Sequence, residues 1–296
     1  MNEDVREQIR NLEIFSKRLM NSDVPGDYIS AFKGAGFEFE QMREYCDGDD
    51  VRLINWNATA KTGNLMVKET IPERDRTVIL AVDCSSSSNY SSKKELKKDL
   101  MQKFCAALGF IAANGGDRVG ALIFSDTVER WFSPQRGHAH LAQINEAIAK
   151  SFEKGGKTNF VDAFKYLVDL KKRNSILFMV SDFIEPVVDK TDKSAIHMER
   201  LLRLLACEYD MIATRVTDDC EERFPDVGMI SIVDPETGEE ILVDSASSAV
   251  KKLAVRMKEQ KSIFERSGAD VLDLRVGRDM ARTLAEFFHK RISRQV

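Results

Sequence analysis

The sequence predicts an α/β protein built on a doubly wound, mostly parallel sheet, with a small β-rich segment ahead of it and a β-hairpin inserted late. Three observations predict it. Two uninterrupted apolar runs, Thr77 to Val82 (TVILAV) and Ser175 to Val180 (SILFMV), have the texture of strands buried on both faces. Segments of helical periodicity separate these from further strand-like runs, which is the rhythm of repeated βα units. Short polar stretches follow the apolar runs, Asp83-Cys84-Ser85-Ser86-Ser87 above all, where loops gather at the carboxyl edge of an open sheet.

Taken in order, Val5, Ile9, Leu12, Phe15 and Leu19 recur at helical spacing, so residues 1–20 form one amphipathic helix. Residues 21–75 are punctuated by Pro25-Gly26, Gly34, Gly36, Gly48, Gly63 and Pro72 between short alternating segments, which reads as a small β-rich subdomain. The α/β domain then occupies 76–296. After the first strand, Leu96, Leu100, Phe104, Leu108 and Ile111 mark a helix, and Val119 to Phe124 with Val128 to Phe132 a strand pair. Leu141 to Phe152 and Phe160 to Leu170 are helices, and Ser175 to Val180 is the second buried strand. Ile196 to Leu205 is helical, Met211 to Val216 a strand, Val250 to Phe264 helical, Val271 to Val276 the last strand, and Met280, Leu284, Phe287 and Phe288 mark a closing helix. The inserted hairpin falls at about 226–244, its turn near Glu236 to Gly238.

With 296 residues and 43% hydrophobic composition, the chain can bury an ample core without staples. Its 44 Lys+Arg against 48 Asp+Glu leave a net charge of -4, which gives no electrostatic footprint for general nucleic-acid binding. The longest apolar stretch, Phe104 to Ala113, is about half of a membrane span, and no signal peptide opens the sequence. A cytoplasmic location is expected. Cysteines at 46, 84, 105, 207 and 220 form no C-x-x-C pair, which argues against a disulfide framework and against zinc.

Three post-strand places carry the chemistry. Asp83, Ser85 and Ser87 could present one carboxylate and two hydroxyls in the same direction, Thr158 adds a hydroxyl from the glycine loop Gly155-Gly156, and Asp182 follows the second buried strand. Alone, a D-x-S-x-S run usually caps a helix or makes a turn. Five oxygen donors on one edge, with no His or Cys, instead call for a hard divalent cation, Mg²⁺ or Mn²⁺ before Zn²⁺. So few charges would leave the ion under-neutralised, and a carboxylate from a partner protein could complete its shell.

Competing motifs are weaker. Gly156-Lys157-Thr158 ends like a P-loop, but Ser151 stands where the first glycine belongs and the preceding residues have helical spacing. The Lys93 to Lys98 run reads as the solvated face of a helix. His138 and His140 read as a surface loop, Cys84 as a buried small residue, and Ser85 to Ser88 match no serine-nucleophile motif. In the Gly48 to Trp56 stretch, Arg52 is expected to pair with a carboxylate and Trp56 to pack in the join with the sheet; the alternative reading is a recognition surface for a partner.

In order and in placement after the strands, Asp83, Ser85, Ser87, Thr158 and Asp182 resemble the metal-ion-dependent adhesion site of von Willebrand factor A-type domains, a Rossmann-like fold. The run from Arg43 to Ala60 (REYCDGDDVRLINWNATA) resembles the signature that precedes such a domain in the bacterial domain-of-unknown-function family fifty-eight. Ser30 to Gly34, Gly116 to Gly120, Val180 to Phe183 and Asp234 to Glu239 resemble further blocks of that family, so the similarity runs from about residue 5 to about residue 245. Asn55 stands where the family usually has Asp, and Ser88 where Met commonly follows; neither is a metal ligand. Many longer relatives carry membrane helices ahead of the signature, which this sequence lacks. The resemblance implies that Asp83, Ser85 and Ser87 hold the ion directly or nearly so, while Thr158 and Asp182 bind it directly or through water. It also implies a MoxR-type AAA+ ATPase as partner, with this chain as adaptor in chaperone-like remodelling. Two other functions remain open at this point: a Mg²⁺-dependent hydrolase such as a phosphoesterase, against which no positioned base or arginine clamp is visible, and a structural domain whose metal site is vestigial.

Overall fold

The computed structural model describes residues 12, 14–32, 38–46, 49–72, 76–172, 175–184, 193–222, 228–233, 240–244 and 260–295. Its centre is a six-stranded sheet in the order β10-β7-β6-β3-β4-β5, formed by Thr77–Asp83 (β3), Arg118–Phe124 (β4), Val128–Gln135 (β5), Ser175–Ser181 (β6), Tyr209–Thr217 (β7) and Asp270–Arg275 (β10). All neighbours run parallel except β5, which returns antiparallel beside β4. From β3 the chain winds outward one way through β4, and from β6 it winds the other way through β7. The direction therefore reverses between adjacent strands β3 and β6, which opens a crevice at their carboxyl ends. This is the doubly wound, mostly parallel α/β architecture that the sequence predicts.

Side-chain alternation along the central strands builds two cores. Val78, Leu80 and Val82 of β3, with Ile176, Phe178 and Val180 of β6, pack beneath Lys97–Asn114 (α4), His138–Lys154 (α5) and Met280–Gln295 (α10). Ile79, Ala81, Leu177 and Met179 face Phe160–Leu170 (α6), Lys193–Glu208 (α7) and a helix over residues 260–267 (α9). Burial on both faces is what the unbroken apolar runs require, and at about 25 cal/mol per Å² of apolar surface it is the main favourable term of the fold.

Residues 14–20 are helical (α1), while Val5 and Ile9 lie outside the described residues. Where the sequence suggests only short strands, Val24–Ala31 forms a helix (α2) that joins the main core: Tyr28 and Phe32 lie against Phe288 of α10. The Tyr28 hydroxyl donates to Asp117 Oδ2 at 2.8 Å, and Arg76 Nε donates to Oδ1 at 3.2 Å. Glu38–Glu44 (β1) and Met66–Pro72 (β2) form an antiparallel pair, enclosing a short 3₁₀ turn at Val51–Leu53 and the helix Trp56–Thr62 (α3). Asn55 caps α3, its side chain accepting from the Ala58 N–H at 3.1 Å; the cap requires an oxygen acceptor, which asparagine supplies without charge.

Three local expectations are corrected. Arg43, rather than Arg52, makes the ion pair of the signature, reaching both oxygens of Asp49 at 2.6 and 2.8 Å and holding that carboxyl at about 2. Trp56 is 67% exposed rather than packed in a join, because α3 presents it outward on a helix with no buried residue. His138 and His140 open helix α5 instead of lying in a loop, their rings beside Phe110 and Phe132. A short helix, Asp219–Glu222 (α8), follows β7, and Met229–Val233 (β8) pairs antiparallel with Glu240–Asp244 (β9) as the inserted hairpin; its expected turn, and residues 250–259 of the helix expected over Val250 to Phe264, lie outside the described residues. Among the described residues no helix is long and apolar enough to cross a membrane.

Candidate metal centre

The crevice between β3 and β6 is where the candidate ligands fall. Asp83 ends β3 and is buried; its Oδ1 accepts from the Ser85 N–H at 3.0 Å and its Oδ2 from the Ser181 hydroxyl at 2.7 Å. The Ser85 and Ser87 hydroxyls lie 2.9 Å apart, so alternate residues do turn the same way, helped by the 3₁₀ turn at Ser86–Asn89. Between them Ser86 ties the motif to the glycine loop: its N–H donates to the Gly156 carbonyl at 2.9 Å and its hydroxyl accepts from the Gly156 N–H at 3.0 Å. A Cβ on Gly155, at φ +63°, would stand 2.5 Å from the Ser86 oxygen, so this close approach requires glycine. Thr158 is buried in the same loop, two residues beyond Gly156. That loop follows helix α5 rather than a strand, which disposes of the P-loop reading.

Asp182 follows β6 and is also buried. Its Oδ1 accepts from the Ile184 N–H at 3.3 Å, across a turn in which Phe183 takes φ +51°. A bulky residue in the left-handed region is strained, and it is held there by the Ser181 hydroxyl, which accepts the Phe183 N–H at 3.0 Å, and by ring contacts with Phe160 and Phe264. Burial, and then repulsion from Asp182, push the Asp83 carboxyl up to about 7, while its hydrogen bonds from Ser181 and Ser85 act the other way.

The structure adds a cation that the lysine run concealed. Lys97 is 0% exposed, and its Nζ donates at 2.7 Å to Asp182 Oδ2 and at 2.7 Å to Glu221 Oε1. Burial opposes its charge, but Asp182 and Glu221 prevail and raise the Lys97 pKa. Glu221 also accepts the Asp218 N–H at 2.9 Å, and Asp218 accepts from Ser91, from Ser92 and from the Cys220 N–H, tying the end of β7 to the loop after the motif. The expectation of a solvated lysine face therefore fails at this position. Lys97 lies at helical spacing from buried Met101, Phe104 and Leu108, a periodicity that marks its inward direction. Asp218 follows the end of β7 just as Asp182 follows the end of β6.

Two carboxylates and three hydroxyls form an oxygen-only donor set, which fits a hard divalent cation. Ser85 and Ser87 share one hydrogen bond and each retains lone pairs for an ion. Among the described residues no three His, Cys, Asp or Glu are grouped to hold a metal, so an ion here would have to rely on the hydroxyls as well.

Comparison with known proteins sets these residues in a family. The uncharacterized proteins Rv1480 of Mycobacterium tuberculosis and Mb1516 of Mycobacterium bovis are each 28% identical to this chain over 289 residues, covering 96% of it and 88% of their own length. Similar solved structures include an aerotolerance-related membrane protein from Bacteroides fragilis (TM-score 0.46, 13% identity, covering 74% of this chain and 99% of that one). A von Willebrand factor type A protein from Catenulispora acidiphila is similar at TM-score 0.41 and 13% identity, covering 77% of this chain and 43% of that one. Residues 41–262, from the arginine signature through both edges of the crevice, match the family described as "Protein of unknown function DUF58", and the chain belongs to that family.

Proposed function

We propose that the chain is a metal-ion-dependent protein-binding module rather than an enzyme, in which Asp83, Ser85, Ser87, Thr158 and Asp182 hold Mg²⁺ or Mn²⁺ and an acidic side chain of a partner completes the shell. The observation that carries this reading is the gathering of the motif, the glycine loop and Asp182 at the reversal point of a doubly wound sheet, with the Ser85 and Ser87 hydroxyls 2.9 Å apart. The ion would supply a positive, ligand-accepting centre. The chain's own residues supply orientation: Ser181 and the Ser85 N–H fix Asp83, and the strained turn at Phe183 fixes Asp182. Of the two carboxylates in the ligand set, Asp182 also answers the charge of Lys97, so a divalent ion here would be incompletely neutralised and an added carboxylate electrostatically welcome. The partner that the family resemblance implies is a MoxR-type AAA+ ATPase in the cytoplasm, with this chain as adaptor for remodelling of client proteins.

The test is capture of partners from native lysate on wild-type protein and on Asp83→Ala, with Mg²⁺ and with EDTA, read by mass spectrometry. A MoxR-type ATPase retained only by the wild type with Mg²⁺ supports the module. Retention indifferent to both metal and mutation overturns it.

A further inference from the structure

Lys97 is the least expected group near the crevice. A buried ammonium requires counterions, and those at Lys97 come from distant parts of the chain: Asp182 after β6 and Glu221 in α8. Its Nζ also lies 5.9 Å from the centre of the Tyr90 ring, on the loop that leaves the D-x-S-x-S motif. Of the two carboxylates in the proposed ligand set, Asp83 is held by neutral donors alone, from Ser85 and Ser181, whereas Asp182 shares Oδ2 with a full positive charge. A divalent ion and this ammonium therefore draw on the same carboxylate.

Resting on the metal-centre reading above, we propose that Lys97 is a positioning residue that sets the affinity of the centre for its ion: it acts through Asp182 as a built-in monovalent cation competing with the divalent one. Glu221 is its counterweight. The negative charge of Glu221 draws the ammonium away from Asp182, and its removal leaves the ammonium to Asp182 alone. The arrangement keeps a bound ion weakly neutralised by the chain itself, so that a carboxylate from outside has something to gain. A purely structural lysine gives the opposite result on removal, because loosening Asp182 weakens ion binding; the sign of the change separates the two roles.

The experiment is calorimetric titration of the whole chain with Mg²⁺ alone, with circular dichroism confirming the fold of each variant. Lys97→Met leaves two buried carboxylates unpaired, so the double variant Lys97→Met/Glu221→Gln is the one that preserves the balance of charge. The double variant is expected to bind Mg²⁺ at least tenfold more tightly than wild type, Lys97→Arg to bind as wild type does, and Glu221→Gln to bind more weakly. A folded double variant with equal or weaker affinity overturns the role of Lys97 while leaving the metal centre standing. Absence of Mg²⁺ binding in the wild type and in every variant overturns the metal centre, and this proposal with it.

Discussion

The apo protein should lose stability as pH rises through neutrality, and Asp83 is the group responsible. Its carboxyl is raised to about 7 in the folded chain, first by burial and then by Asp182, against about 3.9 when unfolded. A raised carboxyl contributes stability that is fully present below the unfolded value and is lost as pH rises through the folded one. Three units at about 1.36 kcal/mol each give about 4 kcal/mol in all, of which about 1.5 kcal/mol is already gone at pH 5 and about 2.5 kcal/mol disappears between pH 5 and pH 8. Asp83→Asn isolates this contribution. The amide oxygen can accept the Ser85 N–H and the amide nitrogen can donate to the Ser181 oxygen, so the local frame survives without a titrating group. Urea unfolding of both proteins in EDTA, followed by circular dichroism at pH 5 and pH 8, reads the difference directly. The wild type should fall relative to the variant by about 2–3 kcal/mol over that interval. An unchanged difference between the two proteins would refute the reasoning, since it would mean that Asp83 pays no cost for its charge in the fold.

Three further outcomes follow from the packing. Phe183→Ala removes a ring stacked 5.5 Å from Phe160 and tilted against Phe264 at 4.7 Å while keeping a side chain at positive φ, and should cost about 3–5 kcal/mol in urea unfolding. Tyr28→Phe deletes the hydroxyl that donates to buried Asp117 and should lower stability by about 1–3 kcal/mol, with Arg76 retaining the other oxygen. Trp56→Ala should leave thermal stability within about 0.5 kcal/mol of wild type, because the ring is mostly in solvent; a larger loss would mean that it packs after all.

Local pattern was enough for the strands of the main sheet and for placing Asp83 and Asp182 at or just past their ends. An unbroken run such as TVILAV can satisfy itself only between two helical layers, and the chain direction then forces Asp83 and Asp182 to strand ends. The signature segment was less transparent. A carboxylate and an arginine in one stretch do not say which arginine pairs, and Asp49 lies within reach of Arg43 only once β1 and the following turn are formed. Trp56 misled for a related reason: aromatic character favours burial, but α3 has no layer over it to bury against. Val24–Ala31 was obscured by Pro25 and Gly26, turn formers that here occupy the first turn of a helix, where a missing N–H costs nothing.

The sequence by itself determined the α/β class, the order of the strands of the main sheet and the family, and it pointed to the five oxygen-bearing residues of the candidate centre, because apolar periodicity and motif spacing are properties of neighbours along the chain. Only the tertiary structure decided what charge surrounds those residues. Lys97 looks like one lysine in a solvated run until Asp182, 85 residues away, and Glu221, 124 residues away, close around its ammonium. Electrostatic partnership depends on distance in space and on exclusion of water, and neither is written in local sequence.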